Sequence, residues 1–300
     1  MLNSLKSLCV ILILSHNAWG ACSSSAIELV YQFAELHQSG VELYRQKALL
    51  ERALELCPTM PEAHNNLASL LEDEGAYSKA ISHYKQALQY RADLHPAWYG
   101  LGETYFKQGR FVLSLEAHLQ ACQFDKDSKK RVIALLRDKS YAVTEAGKII
   151  DKDSLLALYD PQRRQVMNRL LSECGLRDIS GIVQDHIFRN FLFDTGKADL
   201  QPGSDKQLDE LAATFQSLSG EVFQIHGHTD TQPFKDVSKL ESDLLNVQLS
   251  QNRAATIAAA LAERGVTNLE TYGHGYRKPL VQSNNQAAWA KNRRVEIQVR

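Results

Sequence analysis

The chain has 300 residues, of which 44% are hydrophobic and 23% are charged, and its formal net charge is −1 at pH 7. This length suffices for about two domains, because a domain typically holds roughly 100–200 residues. The balanced charge argues against nucleic-acid binding, which depends on clustered basic residues. The sequence contains no run of about 18 apolar residues, so we expect no permanent transmembrane helix.

The first residues have the layout of a secretory signal. Lys6 precedes the short apolar run Leu8–Leu14, and small residues follow around Gly20 and Ala21. The apolar run is too short to span a membrane. We therefore predict a signal peptide over residues 1–21 and export of the chain to the periplasm.

Two kinds of processing fit the end of this signal. The small residues Ala18 and Gly20 suit cleavage that leaves a soluble protein, whereas Gly20, Ala21 and Cys22 resemble a bacterial lipoprotein signal whose cysteine is acylated. Trp19 departs from the leucine usual in such signals. Lipidation of Cys22 would anchor the chain in the outer membrane, and without it the protein would be free in the periplasm.

The other cysteines show no metal-binding spacing. Cys57, Cys122 and Cys174 stand far apart in the sequence, and Cys9 lies within the predicted signal. An oxidising periplasm allows disulfides, but isolated cysteines also pack as small apolar groups. The sequence leaves both options open.

A repeat of 34 residues follows the signal. Residues of the same size class recur at this interval, namely Phe33, Leu67 and Leu101; Ala34, Ala68 and Gly102; and Ala53, Ala87 and Ala121. Apolar residues three and four positions apart within each unit predict helices. Recurrence at this period indicates helical units that stack on one another.

These units resemble tetratricopeptide repeats, most clearly at Trp98, Leu101, Gly102, Tyr105 and Ala121. The resemblance implies an all-α array over residues 27–128 with a concave groove that binds a protein partner. An array that only spaces the next domain from its anchor is the alternative. The groove would carry Asn65, Ser69, Glu72, Tyr99, Glu103 and Phe106.

The composition changes after the repeats. A charged stretch begins near Lys126, and apolar helical patterns recur at residues 132–136 and 155–159. We predict a helical connector over residues 129–185, to which the sequence assigns no function.

Residues 186–300 alternate strand and helix patterns. The predicted strands are 186–193, 222–228, 269–273 and 295–299; the predicted helices follow Gly203 and span 245–265. This βαβαββ order predicts an α+β sandwich. The chain as a whole is therefore predicted to be multidomain, with helical repeats followed by this module.

One acid and one base flank a strand-to-helix unit of this module. Asp230 follows the second predicted strand, whereas Asn246 and Arg253 lie two helical turns apart on one helix face. A carboxylate holds an ammonium group, and a guanidinium holds a carboxylate with two parallel hydrogen bonds. The pattern suits a small ligand that carries both groups.

The residues around this pair resemble the OmpA-like C-terminal domain, a peptidoglycan-binding module. The matching positions are His226–Asp230, Asn246, Leu249-Ser250, Arg253-Ala254 and Asn292–Ile297. The resemblance implies binding of diaminopimelate in uncrosslinked stem peptides, with Asp230 and Arg253 as the principal ligands. Asn246 would contact the stem. Phe193 and Asp194 would form the rim, and Arg293 would brace the site or form a sheet-edge ion pair.

Other interpretations concern the same residues. The segment 231–245 is longer than in the short form of the family and resembles flagellar stator B-subunits, but such proteins need a transmembrane helix. His226, His228 and Asp230 could bind zinc, and Asp194 with Asp230 could form the acid pair of a glycan hydrolase. A neighbouring arginine keeps an aspartate ionised, which favours binding over general-acid catalysis.

The sequence thus predicts an exported, non-enzymatic protein without a cofactor that binds peptidoglycan stem peptides and, through its repeats, an unidentified protein partner. The alternatives are a cell-wall hydrolase or metal-dependent periplasmic enzyme, and a protein–protein scaffold whose wall module no longer binds.

Overall fold

The structure is a computed structural model that describes residues 22–40, 42–145, 152–176, 186–218 and 220–300. The predicted signal peptide lies outside these residues. The chain divides into two compact units, one within Met1–Arg137 and Val166–Asp178, the other within Asp138–Gln165 and Ile179–Arg300. The predicted domain limits at 27–128, 129–185 and 186–300 remain predictions.

The first unit is built of antiparallel helices, as the repeat predicts. The sequential pairs α1 with α2, α3 with α4, and α5 with α6 each pack as a hairpin. The helices are α1 (Ser24–Gln38), α2 (Leu43–Leu56), α3 (Pro61–Asp73), α4 (Tyr77–Tyr90), α5 (His95–Lys107), α6 (Phe111–Ala121) and α7 (Lys126–Asp138).

Small residues at the 34-residue interval allow these helices to approach closely. Ala53, Ala87 and Ala121 are fully buried. A Cβ atom added to Gly102 would lie 2.6 Å from Nε2 of His118, which leaves no room for a larger residue without a shift. The periodicity seen in the sequence is therefore a packing requirement of the hairpins.

Two disulfides close this unit. Cys22 is bonded to Cys57 with their Cα atoms 5.4 Å apart, and Cys122 is bonded to Cys174 with Cα atoms 5.8 Å apart. Both separations lie in the usual range for a disulfide. The sequence had left the pairing of these four cysteines open.

The second unit contains a five-stranded sheet with the order β1-β2-β5-β3-β4. β5 runs antiparallel to β2 and β3, while β1 pairs parallel with β2 and β4 parallel with β3. The strands are β1 (Val143–Glu145), β2 (His186–Leu192), β3 (Phe223–Gly227), β4 (Leu269–Gly273) and β5 (Arg294–Val299). The helices are α8 (Lys152–Tyr159), α9 (Pro161–Glu173), which continues into the first unit, α10 (Ser204–Phe215), α11 (Lys239–Glu263) and α12 (Gln286–Asn292).

The predicted α+β class is confirmed, with three differences in its elements. The edge strand β1 comes from the segment predicted to be a helical connector, where three residues are too short to show a strand pattern. The short helix α12 was not predicted. Helix α11 starts at Lys239, six residues before the predicted start at 245, so Arg253 lies in the middle of the helix and not in its early part.

An N-cap at Ser238 explains the early start of α11. The hydroxyl of Ser238 accepts a hydrogen bond from the backbone N–H of Glu241, and a serine followed three residues later by a glutamate is a sequence signal for a helix start. Part of the segment 231–245 is therefore helix. Among the described residues, no helix is both long and apolar enough to cross a membrane.

Helix α11 and strand β3 make the close contact that positions the site. A Cβ atom added to Gly227 would lie 1.9 Å from the carbonyl oxygen of Ser250 in α11. Only glycine permits this approach, which brings the middle of α11 over the end of β3.

We expect Gly227→Ala to lower the free energy of unfolding by about 2–3 kcal/mol, because the added methyl group must push two backbone segments apart. Urea unfolding measures the change. Gln224→Ala, on the opposite face of β3, is the control and should cost less than about 0.5 kcal/mol. Equal effects of the two substitutions would contradict the close approach.

Candidate functional site

The candidate site lies at the edge of the sheet where β2 and β3 end and β5 begins. Arg294 and Val295 of β5 pair with Leu192 of β2 and Gly227 of β3. The segments that follow β2 and β3 and the segment that precedes β5 therefore meet at this edge, and α11 packs against it.

A pocket of about 370 Å³, a volume that includes space open to solvent, lies at this edge. Four residues that the sequence singled out as ligands line it together: Asp230, Asn246, Arg253 and Arg293. The remaining lining residues are Thr195, Gly196, Thr229, Gln232, Pro233, Phe234 and Leu249. The pocket is thus formed by distant parts of the sequence.

Arg253 is the most constrained side chain of the pocket. It is 0% exposed, and its guanidinium donates to three backbone carbonyls, those of Asp194, Lys197 and His228, at 2.8–2.9 Å. Burial lowers the pKa of Arg253 to about 10, so it remains charged at neutral pH. A guanidinium has five N–H donors, so two remain beyond these three bonds.

Asp230 is held in place by the segment around it. Its Oδ2 accepts a hydrogen bond from Nη1 of Arg293 at 2.9 Å, and its Oδ1 accepts one from the backbone N–H of Gln232 at 2.9 Å. The residue is 5% exposed. A carboxylate offers about four acceptor positions, so a ligand ammonium can share it.

Arg293 braces the site. In addition to its bond with Asp230, its Nε donates to the carbonyl oxygen of Phe193 at 3.1 Å. Both contacts tie the start of β5 to the ends of β3 and β2. The charged groups that line the pocket are thus two guanidiniums and one carboxylate, a net charge of +1.

Phe193 and Asp194, the predicted rim, are not among the residues that line the pocket. Phe193 is 2% exposed, and its ring centroid lies 5.2 Å from Cζ of Arg253. Asp194 offers its backbone carbonyl to Arg253, while its carboxylate is exposed and accepts from Nε2 of Gln201. Both residues support Arg253, and neither lines the pocket.

The segment 231–245 forms one wall of the pocket through Gln232, Pro233 and Phe234. Ser242 fixes this wall: its hydroxyl accepts from the backbone N–H of Phe234 at 2.9 Å, and its carbonyl accepts from Nδ2 of Asn246 at 3.1 Å. The sequence marked this segment as longer than in the short form of the family but did not identify these lining residues. Their position directly after Asp230 was the available signal.

Three histidines stack beside the site. His226 and His274 are joined at 2.9 Å through Nδ1 and Nε2, and the ring centroids of His228 and His274 are 5.1 Å apart. Among the described residues, no group of three or more His, Cys, Asp or Glu side chains is arranged to hold a metal ion. Burial lowers the pKa of His226 to about 4 and that of His228 to about 2. Neighbouring His274, Lys278 and Arg294 lower these pKa values further.

The predicted groove of the repeats is rich in internal contacts. Burial opposes ionisation of Glu103, but contacts with His118 and Arg131 outweigh it and lower its pKa to about 2. Arg131 also stacks on Phe106, with Cζ 3.8 Å from the ring centroid. Glu72 accepts from Lys107 and from the hydroxyl of Tyr84.

The other predicted groove residues lie on the same two helices, α3 and α5. Asn65 and Ser69 are 8% and 7% exposed. The ring of Tyr99 meets that of His118 edge-on, with centroids 5.8 Å apart. A role of this surface in binding a partner remains a prediction.

We expect acid to destabilise the second unit through its histidines. The unfolded chain binds protons on His226 and His228 below about pH 6.5, whereas the folded unit does not until the pH is much lower. The contribution of the two histidines to the free energy of unfolding is therefore fully present above pH 6.5. It falls as the pH drops towards 4, by up to about 1.4 kcal/mol per pH unit for each histidine.

Urea unfolding followed by Trp289 fluorescence in a Trp98→Phe background tests this pH dependence. His226→Gln should flatten the profile between pH 6.5 and 4, and Gln298→Ala on the same sheet face should not. A wild-type profile that stays level over this interval would contradict the lowered pKa values.

Comparison with known proteins identifies the two kinds of domain. A model of the OmpA family matches residues 192–293, and a TPR repeat model matches residues 70–109. The chain is 29% identical over 141 residues to the peptidoglycan-associated lipoprotein of Pseudomonas aeruginosa, which covers 46% of this chain and 73% of the relative. It is 32% identical over 110 residues to the probable lipoprotein YiaD of Escherichia coli, over 36% of this chain and 47% of the relative.

Among solved structures, the peptidoglycan-associated lipoprotein from Burkholderia pseudomallei aligns with a TM-score of 0.34 at 26% identity, over 37% of this chain and 90% of that chain. The chain spans about half the length of other relatives it matches, 47% of the Escherichia coli protein and 52% of outer membrane protein A of Bordetella avium. Both resemblances seen in the sequence are confirmed: the chain carries an OmpA family domain at residues 192–293 and a TPR repeat at residues 70–109.

Proposed function

We propose that this protein binds peptidoglycan non-covalently in the cell envelope, and that the pocket of its OmpA family domain holds the free end of diaminopimelate in a stem peptide. The observation that carries the proposal is the placement of Asp230, Arg253 and Arg293 around one pocket. Among the relatives that match this domain is the peptidoglycan-associated lipoprotein of Pseudomonas aeruginosa, and this likeness supports peptidoglycan as the ligand.

The charge of the pocket suits this ligand. Diaminopimelate at the end of a tripeptide stem carries one ammonium and two carboxylates, a net charge of −1 that complements the +1 of the lining residues. The ammonium would share the Asp230 carboxylate with Arg293, and a carboxylate would accept the remaining N–H groups of Arg253. A stem that carries lysine in place of diaminopimelate lacks one carboxylate and should bind more weakly.

The pocket supports binding better than catalysis. Both carboxylate oxygens of Asp230 accept hydrogen bonds, from Arg293 and from the backbone N–H of Gln232, an arrangement that suits an acceptor for a ligand. Asp194, the second acid of a hydrolytic pair, does not line the pocket. We therefore propose that the protein acts in the periplasm, where it binds the cell wall without cleaving it.

The repeats would bind a protein partner, as the TPR match suggests. The proposed surface is the groove that carries Asn65, Glu72, Tyr99, Glu103 and Phe106. Such a protein would hold its partner close to the wall while the OmpA family domain grips a stem peptide.

We expect Asp230→Asn to weaken binding of a diaminopimelate tripeptide by roughly 30-fold or more, since losing one partner of a desolvated charge pair costs about 2–5 kcal/mol. Arg253→Lys, which keeps the charge but loses the planar fork, should weaken it as well. Calorimetric titration of the full chain measures both changes, and circular dichroism establishes that the variants are folded.

The exposed residues Glu263 and Arg277 provide matched controls as Glu263→Gln and Arg277→Lys. Folded Asp230→Asn protein that binds the tripeptide as tightly as the wild type would refute the proposed site. Release of new muropeptides from sacculi incubated with the wild type, followed by chromatography, would favour the hydrolase alternative.

We expect the wall formed by segment 231–245 to contribute to affinity. Phe234→Ala removes apolar surface beside the ligand's methylene chain, which costs about 1–2 kcal/mol, or about 5- to 30-fold in affinity. Ser242→Ala frees the backbone of Phe234 and should weaken binding in the same direction. Leu240→Ala, at a residue that is 72% exposed in the same segment, is the control. If Phe234→Ala and Leu240→Ala bind alike, the segment is not part of the site.

A further inference from the structure

We propose that Cys22 of the mature protein is the disulfide partner of Cys57 and carries no lipid. The sequence around Cys22 resembles a lipoprotein signal, yet the structure bonds its sulfur to that of Cys57. Sulfur in a cysteine side chain forms one bond beyond Cβ, so a thioether to a diacylglyceryl group and a disulfide exclude each other at Cys22.

The surroundings of Cys57 favour the disulfide. Cys57 is 4% exposed and caps the end of α2, where its N–H donates to the carbonyl of Ala53 at 2.8 Å. Acylation of Cys22 would leave this buried thiol as the odd cysteine of an exported protein. The disulfide accounts for both residues.

The start of α1 also opposes a lipid anchor at this position. Only Ser23 separates Cys22 from the helix, and its hydroxyl caps the helix by accepting from the N–H of Ala26 at 3.3 Å. Ala26 and Phe33 are 0% and 1% exposed. Cys22 is thus fixed to a packed helix with its sulfur directed at α2, and no flexible linker would let that sulfur reach a bilayer.

The two disulfides secure the first and last parts of the repeat unit. Cys22–Cys57 joins the start of α1 to the end of α2, and Cys122–Cys174 joins the end of α6 to the segment after α9. Terminal repeats lack a neighbour on one side and need an added means of stabilisation. The Cys22–Cys57 disulfide would serve this purpose for the first hairpin, which lies outside the residues that the TPR repeat model matches.

The bond forms by thiol–disulfide exchange. Cys22 and Cys57 together lose two protons and two electrons as their sulfurs join, and the disulfide of a periplasmic thiol oxidase takes them up and becomes a dithiol. An unacylated chain would then be held in the envelope by its wall-binding pocket. That consequence rests on the proposed function, whereas the disulfide itself does not.

The test compares Cys22→Ser with Cys57→Ser in the full chain, exported in a Gram-negative host. Without reductant, peptide mapping of the wild type should find no maleimide on either cysteine and a linked Cys22–Cys57 peptide; after reduction both should be labelled. Without reductant, each variant should expose one thiol to maleimide. The melting temperature of both variants should fall by about 5 °C or more. Neither substitution should change how the protein divides between membrane and soluble fractions.

Lipidation predicts an asymmetric result. The wild-type mass would include a diacylglyceryl group, Cys57 would take up maleimide without reductant, and only Cys22→Ser would leave the membrane fraction. That result overturns the proposal, as does a wild type with both thiols free and no lipid. Cys122→Ser is the control, because it should expose Cys174 alone and leave the Cys22–Cys57 peptide linked.

Discussion

The second unit depends on the buried guanidinium of Arg253. A guanidinium removed from water is costly unless it is hydrogen-bonded, and Arg253 donates three hydrogen bonds to carbonyl groups in the segments after β2 and β3. Because these carbonyls belong to separate parts of the chain, the same side chain that would bind a ligand also joins the elements that form its pocket. Loss of Arg253 is therefore expected to affect both folding and binding, which is why a lysine substitution is more informative than alanine.

The remaining charges follow from this placement. Arg293 stands at the start of β5, where the sheet register brings it beside the end of β3, and it neutralises Asp230 within the protein. The pocket is thus preorganised without a ligand: acid and base already have partners, and each keeps donors or acceptors for a second one. Such an arrangement suits reversible recognition of a zwitterionic group, because binding adds hydrogen bonds without leaving a charge unpaired.

Much of this could be predicted from the sequence, because strong periodicities reflect packing. The 34-residue repeat and the spacing of Asn246 and Arg253 on one helix face describe contacts that the structure contains. The sequence could not place Phe193 beside Arg253, since strand alternation does not reveal which neighbour a buried ring meets. The three-residue strand β1 was too short to show a pattern. The disulfides could not be assigned because sequence spacing does not fix the distance between cysteines.

The most direct test of the account is a titration of the deuterated full-length protein with a diaminopimelate tripeptide, observed at the arginine Nε–Hε signals by NMR. The account predicts saturable shifts of the Arg253 and Arg293 signals at one shared dissociation constant, with no shift of the Arg277 signal. A tripeptide that binds while the signals of Arg253 and Arg293 stay unchanged would show that the ligand lies elsewhere.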